Sequence, residues 1–508
     1  MKNFCVFLVA AIFVTSIWIL SAKAADPVEM EQLKKQMERL IEEQTILKKK
    51  IEDMEKTQVE TQTRTIEAEK KFVEAAKKGI QAGYDKGFYV KTPDENFFLK
   101  TNLFLQFRYT YLPFDRTVNA NDEDWSNFFL RRARVVFSGN APNKDWTYFF
   151  HIQLEPTGAV NLHDAYVTWK KYPYAQVQFG RSKLPYGLHF WQSASLLNGV
   201  ERSIFSGETD AYGKDDTRKW PDTRKWPSGN ANFQVSNEDS VTKFPLGGLH
   251  LFRSQGVQLQ GDINLFDQDG FLQYWAGVYN GRNSKGLPNH DSGHLWVGRI
   301  SINPFGKYNL LQQGDIDYSK TPKVCFLVSG FHDTDRLNKV RSSTDGTEQS
   351  VNSYDYKGSG YNLAALFRYR GFSADSEYGF ERFEQDRSGG DTWDRFAYRL
   401  DAGYFIIPKK FEVVARYAYV ERLEDNTLAK SHASGLGLVS VNGGTNNAIE
   451  DNLKEYTVGL NYYFYGHNLK LVVDYSYLVR EFIPVPGSTV SVDDQNDNRY
   501  RAMVQFYF

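Results

Sequence analysis

Basic side chains at alternate positions are the first residues here that could do chemistry. In Phe129-Leu-Arg-Arg-Ala-Arg134 and the Val135-Val-Phe137 that follows, period two sends Arg132 and Arg134 to one face. Phe129, Ala133, Val135 and Phe137 take the other face. The run Trp146 to Glu155 repeats the pattern: Trp146, Tyr148, Phe150, Ile152 and Leu154 oppose Thr147, His151, Gln153 and Glu155. A guanidinium is a rigid fork of donors matched to carboxylate or phosphate oxygens, so arginines repeated along a wet face point to anion binding. The same alternation places Arg108, Arg299, Arg368, Arg399 and Arg416 on polar faces, together with Arg370, Lys470, Arg499 and Arg501. Lys183 and Arg202 stand in a long link over 182–255. The candidate pore-lining, anion-binding set is therefore Arg108, Arg132, Arg134, Lys183, Arg202, Arg299, Arg368, Arg399 and Arg416. Asp164, Asp262, Asp375, Glu377, Asp401, Glu412 and Asp474 share these faces, so many of the arginines are expected in salt bridges. Anion selectivity requires a surplus of cations over these acids.

The elements that carry these residues are strands, and their connections say what kind. From residue 97 to 508 the pattern stays period two through about sixteen segments. Links after odd-numbered segments are mostly long (112–127, 182–255, 334–359, 422–454, 481–497), and links after even ones are mostly short, with 305–322 the one long exception. That parity, and a last segment alternating Tyr500, Ala502, Val504, Phe506 and Phe508 with Arg499, Arg501 and Gln505, predict an all-β transmembrane barrel of about sixteen antiparallel strands. Apolar rows then face lipid and polar rows face a wet lumen. Aromatic residues at 15% and a mean hydropathy of -0.53 fit such a wall, which alternates rather than running continuously apolar.

Upstream of the barrel, an apolar run over 4–20 followed by Ala22-Lys-Ala24 reads as a signal peptide over 1–25. Residues 26–82 read as a periplasmic coiled coil, because Met30, Leu33, Met37, Leu40, Gln44, Leu47, Ile51 and Met54 recur at spacings of three and four. At ~1.5 Å per residue this helix extends about 70 Å. Residues 83–96, punctuated by Gly83 and Gly87, read as a linker. Of two cysteines, Cys5 falls in the leader and Cys325 stands alone afterwards. A formal net charge of -1 gives no general attraction to nucleic acid, so none is expected as a partner. The nine histidines show no metal spacing, and neither a Gly-x-Ser-x-Gly turn nor a phosphate loop occurs; no enzyme activity, metal or cofactor is expected.

Several stretches in order resemble the phosphate-selective porin O and P family: Gly87-Phe88 through Arg108, Phe129 to Arg134, Ser138-Gly139, Asp145-Trp146 and Asp164-Ala-Tyr166. Gly180-Arg-Ser-Lys-Leu-Pro-Tyr-Gly187, Glu201-Arg-Ser203, Gly277-Val-Tyr-Asn-Gly281, Arg299 before Pro304, Phe411-Glu412 with Arg416-Tyr417, and Leu460-Asn-Tyr-Tyr463 continue the match. The resemblance implies a homotrimeric, sixteen-stranded outer-membrane porin of a Gram-negative bacterium. Such a porin passes small anions, phosphate or polyphosphate in some members, with Arg132, Arg134, Lys183, Arg299 and Arg416 at the family's basic positions. His189 stands where the family carries an acid, and the tandem hexapeptide Asp-Thr-Arg-Lys-Trp-Pro over 216–227 has no counterpart in it. That repeat either forms a basic, aromatic funnel or decorates an exposed loop. Two other readings stay open: a porin for organic acids or general solutes, and a tether joining the outer membrane to peptidoglycan through the coiled coil.

Overall fold

The computed structural model describes residues 27–113, 124–155, 160–206, 251, 253–280, 293–334, 339–341, 348–350, 356–385, 392–421, 438–439, 448–484 and 494–508. The leader and the tandem hexapeptide, with Arg218, Lys219, Arg224 and Lys225, lie outside these residues. Two compact units are present, Met1–Gly79 and Ile80–Phe508. The described part of the first is one helix, α1 (Pro27–Lys78). Its seam residues Met30, Met37, Leu40, Leu47, Ile51 and Met54 are all exposed in the single chain. In its second half Thr57, Thr61, Thr63 and Thr65 turn their hydroxyls back to carbonyls four residues earlier, the local bond by which a hydroxyl is satisfied inside a helix at a small cost to it.

The second unit is built from strands. A hairpin of β1 (Gln81–Tyr84) and β2 (Phe88–Lys91) leads into β3 (Phe98–Leu112), β4 (Trp125–Asn140), β5 (Trp146–Glu155), β6 (Asn161–Tyr172), β7 (Ala175–Lys183), β8 (Arg253–Leu265), β9 (Gln268–Tyr279), β10 (Leu295–Ile302) and β11 (Lys323–Asp333). Two short loop strands, β12 (Lys339–Arg341) and β13 (Glu348–Ser350), precede β14 (Tyr356–Tyr369), β15 (Phe372–Gln385), β16 (Thr392–Ile407) and β17 (Phe411–Glu421). After the short β18 (Leu438–Val439) come β19 (Ala448–Tyr463), β20 (Leu469–Pro484) and β21 (Gln495–Tyr507). Every wall strand pairs antiparallel with its neighbours, and β21 returns to β3 from Tyr500 against Tyr111 to Tyr507 against Phe104. The result is a closed barrel of 16 strands. Closure pairs the first of the sixteen strands with the last, so the barrel itself has no long free edge.

Burial is inverted relative to a soluble protein. Large apolar side chains such as Phe107, Phe326, Leu400 (52% exposed) and Val458 stand on the outside, while arginines are the bulkiest buried residues. This is how period-two strands distribute in a membrane wall. The short links 370–371 and 408–410 turn on residues with positive φ, among them Arg370 (φ 47°) and Gly371 (φ 83°). Arg370 therefore sits exposed in a turn and not in the lumen. At Gly371 a Cβ would come within 2.6 Å of the Tyr318 ring, so only glycine fits.

Two further sequence expectations need correcting. The span 83–96 is not simply a linker, because β1 and β2 form a hairpin across it and β2 pairs with the start of β3, Phe88 opposite Thr101 and Lys91 opposite Phe98. Phe129 does not face lipid: strand β4 has a bulge at Arg131, with Gln106 opposite Arg132 and Phe107 opposite Leu130. The extra residue exchanges the two faces across that point. Phe128 and Leu130 are thus outside, and Phe129 is inside, under the Arg108 guanidinium at 4.4 Å.

Candidate pore and its constriction

The lumen is crossed by chain from both ends. Following β7, residues 184–206 turn inward from the long-loop end through α2 (Leu188–Trp191) and 3-10 turns at Ala194–Leu196 and Ile204–Ser206. From the opposite end, residues 303–322, the long exception among the short links, also enter. The two meet: Ser193 N donates to Leu311 O at 2.8 Å, and Gln313 N to Leu196 O at 3.0 Å. Apolar side chains anchor each against the wall. Ile204 and Phe205 pack on Ala397, Ala418, Val420, Leu453 and Leu478, and Leu188, Tyr308 and Leu310 pack on Cys325, Leu327, Ala364 and Leu366.

A backbone buried inside a barrel needs partners for its polar groups, and the wall supplies them. Glu377 accepts from the amides of Leu188 and His189, Asp474 from Val200 and Glu455 from Ile204. Gln505 donates to Ser195 O, Asn461 to Asn198 O and Lys470 to Leu197 O. The His189 ring lies buried against the Ser203 hydroxyl at 3.1 Å. Burial in this segment and in the opposing one pushes the Tyr186 and Tyr308 phenols upward, so both stay neutral.

The candidate cations occupy this interior in two ways. Arg108 and Arg132 converge, with the unforeseen Arg131, on Glu201 of the inward segment: Nη1 of Arg108 at 2.9 Å, Nε of Arg131 at 2.6 Å and Nη2 of Arg132 at 2.9 Å. Arg399 holds Glu377 at 2.7 Å and also Asp401, which Arg416 holds from its other side. Arg134 donates to Gln153 at 2.7 Å. Lys183 and Arg202 serve the inward segment itself, donating to carbonyls among His189, Phe190, Trp191 and Gln192. Eight of the nine are buried, and Lys183 is half-buried.

Arg299 and Arg368 differ. Neither has a carboxylate within ion-pair distance among the described residues. Arg299 donates to Gly187 O at 3.3 Å and lies over the Trp191 ring at 4.6 Å, with Nε and Nη1 unpartnered. Arg368 donates to the Asn309 and Gln312 carbonyls and stacks on Tyr308 at 4.3 Å. Lys470 is similar, since nearby Glu412 gives its oxygen to Asn461 and Tyr463. Among the described residues fifteen buried Arg and Lys side chains stand against twelve buried Asp and Glu.

No curated protein matches this chain. The sequence profile of a family described as phosphate-selective porin O and P matches it over residues 101–240 and 333–508, more than half its length. The chain belongs to that family. It is an outer-membrane porin. Solved structures similar to this porin include an anion-selective porin from Comamonas acidovorans, at 10% identity over 81% of this chain and 99% of that one, with a TM-score of 0.47. The outer membrane channel DcaP of Acinetobacter baumannii matches at 12% identity over 81% and 97%, with a TM-score of 0.45. The trimer form of OmpT from Vibrio cholerae matches at 13% identity over 81% and 99%, with a TM-score of 0.44. The barrel assignment stands on the strand ladder of the porin itself.

Arg131, Glu201, Arg253 and Arg395 are site residues that alternation did not find. Arg253 pairs with Asp164 at 2.9 Å and Arg395 with Glu381. The bulge at Arg131 had a signal: apolar parity switches from Phe128 and Leu130 to Ala133, Val135 and Phe137 across the adjacent arginines. Glu201 had only the family resemblance of Glu201-Arg-Ser203 and its neighbour Arg202 in the candidate set; nothing local marked its carboxylate as the partner of three arginines.

Proposed function

We propose that this porin carries small anions passively down their gradients past a constriction that holds uncompensated positive charge. The observation that carries the reading is the placement of Arg299, Arg368 and Lys470, whose donors go to neutral carbonyls and whose neighbours include aromatic rings. A fixed cation in a narrow, low-dielectric passage lowers the barrier for anions and raises it for cations. Arg108, Arg132, Arg399 and Arg416 position the inward segment in this reading and act on permeating ions only through it. Phosphate and polyphosphate are the family's narrower candidates for the solute, and organic acids are the competing class. No cofactor takes part, and no catalytic step is involved.

The same proposal has the porin assemble as a homotrimer in outer-membrane lipid with α1 in the periplasm. The unpartnered seam of Met30, Met37, Leu40, Leu47, Ile51 and Met54 favours helix association, and a tether to peptidoglycan is the second role it supports. Single-channel recording across a potassium chloride gradient tests the main claim. A reversal potential of the sign for chloride preference is expected, and preference for potassium refutes it. Phosphate should then reduce the chloride current by competition. Deleting residues 27–79, which spares the β1–β2 hairpin, separates the tether: loss of envelope integrity with unchanged conductance assigns that role to the helix.

A further inference from the structure

The barrel wall does not end with its sixteen strands on one side. Strand β21 pairs with β3 only as far as Phe104, and the main chain of Phe508 bonds Leu103. Below that point β3 would present Phe98 to Thr101 as a bare edge, and β2 fills it, with β1 beside it. The hairpin therefore lies in the plane of the wall, and its two faces are fixed by register. Tyr84 opposes Phe88, Phe88 opposes Thr101 and Thr101 opposes Phe137; Val90 likewise opposes Leu99. These rows run directly into the lipid-facing rows of β3 and β4.

On that outer face Tyr84 (53%), Phe88 (57%) and Val90 (46%) are as exposed as the lipid-facing side chains of the barrel, and the Tyr84 and Phe88 rings meet edge-on at 5.4 Å. The opposite face carries Tyr89 and Lys91, both half-buried, and Lys91 is paired to Glu95. In the turns at the same end of the barrel Tyr174, Phe266, Phe305 and Tyr465 are also exposed. Aromatic side chains at such a rim mark the level of the membrane–water interface.

We propose that the β1–β2 hairpin is a lipid-contacting extension of the wall, its Tyr84, Phe88 and Val90 face lying against phospholipid at the short-turn rim. The occupant is phospholipid because the face continues, in register and without a step, a surface that membrane already covers. Polar residues keep to the other side, so only one side of the hairpin is wetted.

The test uses the full-length porin in vesicles of phosphatidylethanolamine and phosphatidylglycerol. In a Cys325→Ser background, Phe88→Cys and separately Val90→Cys carry a nitroxide, with Tyr89→Cys as the opposite-face control. Nitroxides at 88 and 90 are expected to collide several-fold more with oxygen than with a water-soluble nickel chelate, and the label at 89 to show the reverse preference. Equal access of the chelate to 88, 89 and 90 puts the face in water and overturns the proposal. Exclusion of both reagents from 88 and 90 puts the face against protein, from this chain or another copy, and overturns it as well. Two labelled positions keep the result decisive if one variant does not assemble.

Discussion

Arg416 spans from the wall to the inward segment: its Nη1 donates to the main-chain carbonyl of Glu201 at 2.9 Å while its Nε holds Asp401 of the neighbouring strand. The side chain of Glu201 faces the other way, into Arg108, Arg131 and Arg132. One residue of the inward segment is thus gripped from two sides of the lumen, at backbone and carboxylate separately.

Glu201→Ala should free the segment at that point. It leaves guanidiniums buried without their shared carboxylate, a change that costs about 3–5 kcal/mol in buried pairs. We expect a lower thermal transition together with larger, noisier single-channel currents. An unchanged current with a lowered transition would show that the segment stays in place without Glu201.

Phe205→Ala removes the ring that packs on Ala397, Ala418 and Leu453 without touching any charge. Large-to-small changes at such sites cost about 3–5 kcal/mol. The expected result is the same rise in conductance with the ion preference unaltered, measured as reversal potential. A shifted reversal potential would mean the ring, and not the cations, governs selectivity.

Neutralising Arg299, Arg368 and Lys470 together as glutamines should do the opposite. Reversal potential is expected to move toward zero selectivity while conductance changes little, because glutamine keeps donors for the Gly187, Gln312 and Leu197 carbonyls. Retained anion preference would place the selective charge elsewhere.

Leu400 stands on the outer face near the middle of β16. Leu400→Arg is expected to cost about 2–4 kcal/mol in lipid, the range for a cation on the lipid face of a barrel near the midplane. Urea titration of the folded porin in lipid vesicles measures it. A near-zero cost would mean that this part of the wall is not lipid-covered.

At the short-turn end, hydrogen bonds from Lys91 and Lys144 pull the Glu95 carboxylate down to about 2 and join the hairpin to the 140–146 turn. A depressed carboxylate contributes fully above its unfolded value of ~4.3, and the contribution disappears as pH falls through about 2. Amide exchange over 88–97 should therefore keep its neutral-pH protection at pH 5 and lose it progressively between pH 4 and 2. Loss already between pH 7 and 5 would exclude Glu95 as the group responsible.

The wall was legible in the sequence, and the inward segment only in outline, through Lys183 and Arg202 of the long link. Alternation at Leu103, Leu105 and Phe107, and link parity along the chain, are local and repeat many times, so period two alone yields a 16-stranded tube. Alternation failed where one residue was inserted, at Arg131, because parity carries no memory across a bulge. The contacts of residues 184–206 were hidden for another reason. Leu188 meets Leu366 and Ser195 meets Gln505, pairings across distances in sequence that no local pattern encodes. The arginines were found and their salt bridges with lumen acids expected, but the convergence of three of them on Glu201 was not: a guanidinium binds any carboxylate of its own chain within reach.

The contacts of Ser195 with Gln505 and of Val200 with Asp474 carry a consequence for how the porin is made. Residues near the middle of the polypeptide are held in part by groups on its last two strands, and in part by Glu377 and the apolar cluster on β16 and β17. The segment can therefore take its first holds before the last strands are made, and its full set of contacts is complete only with them.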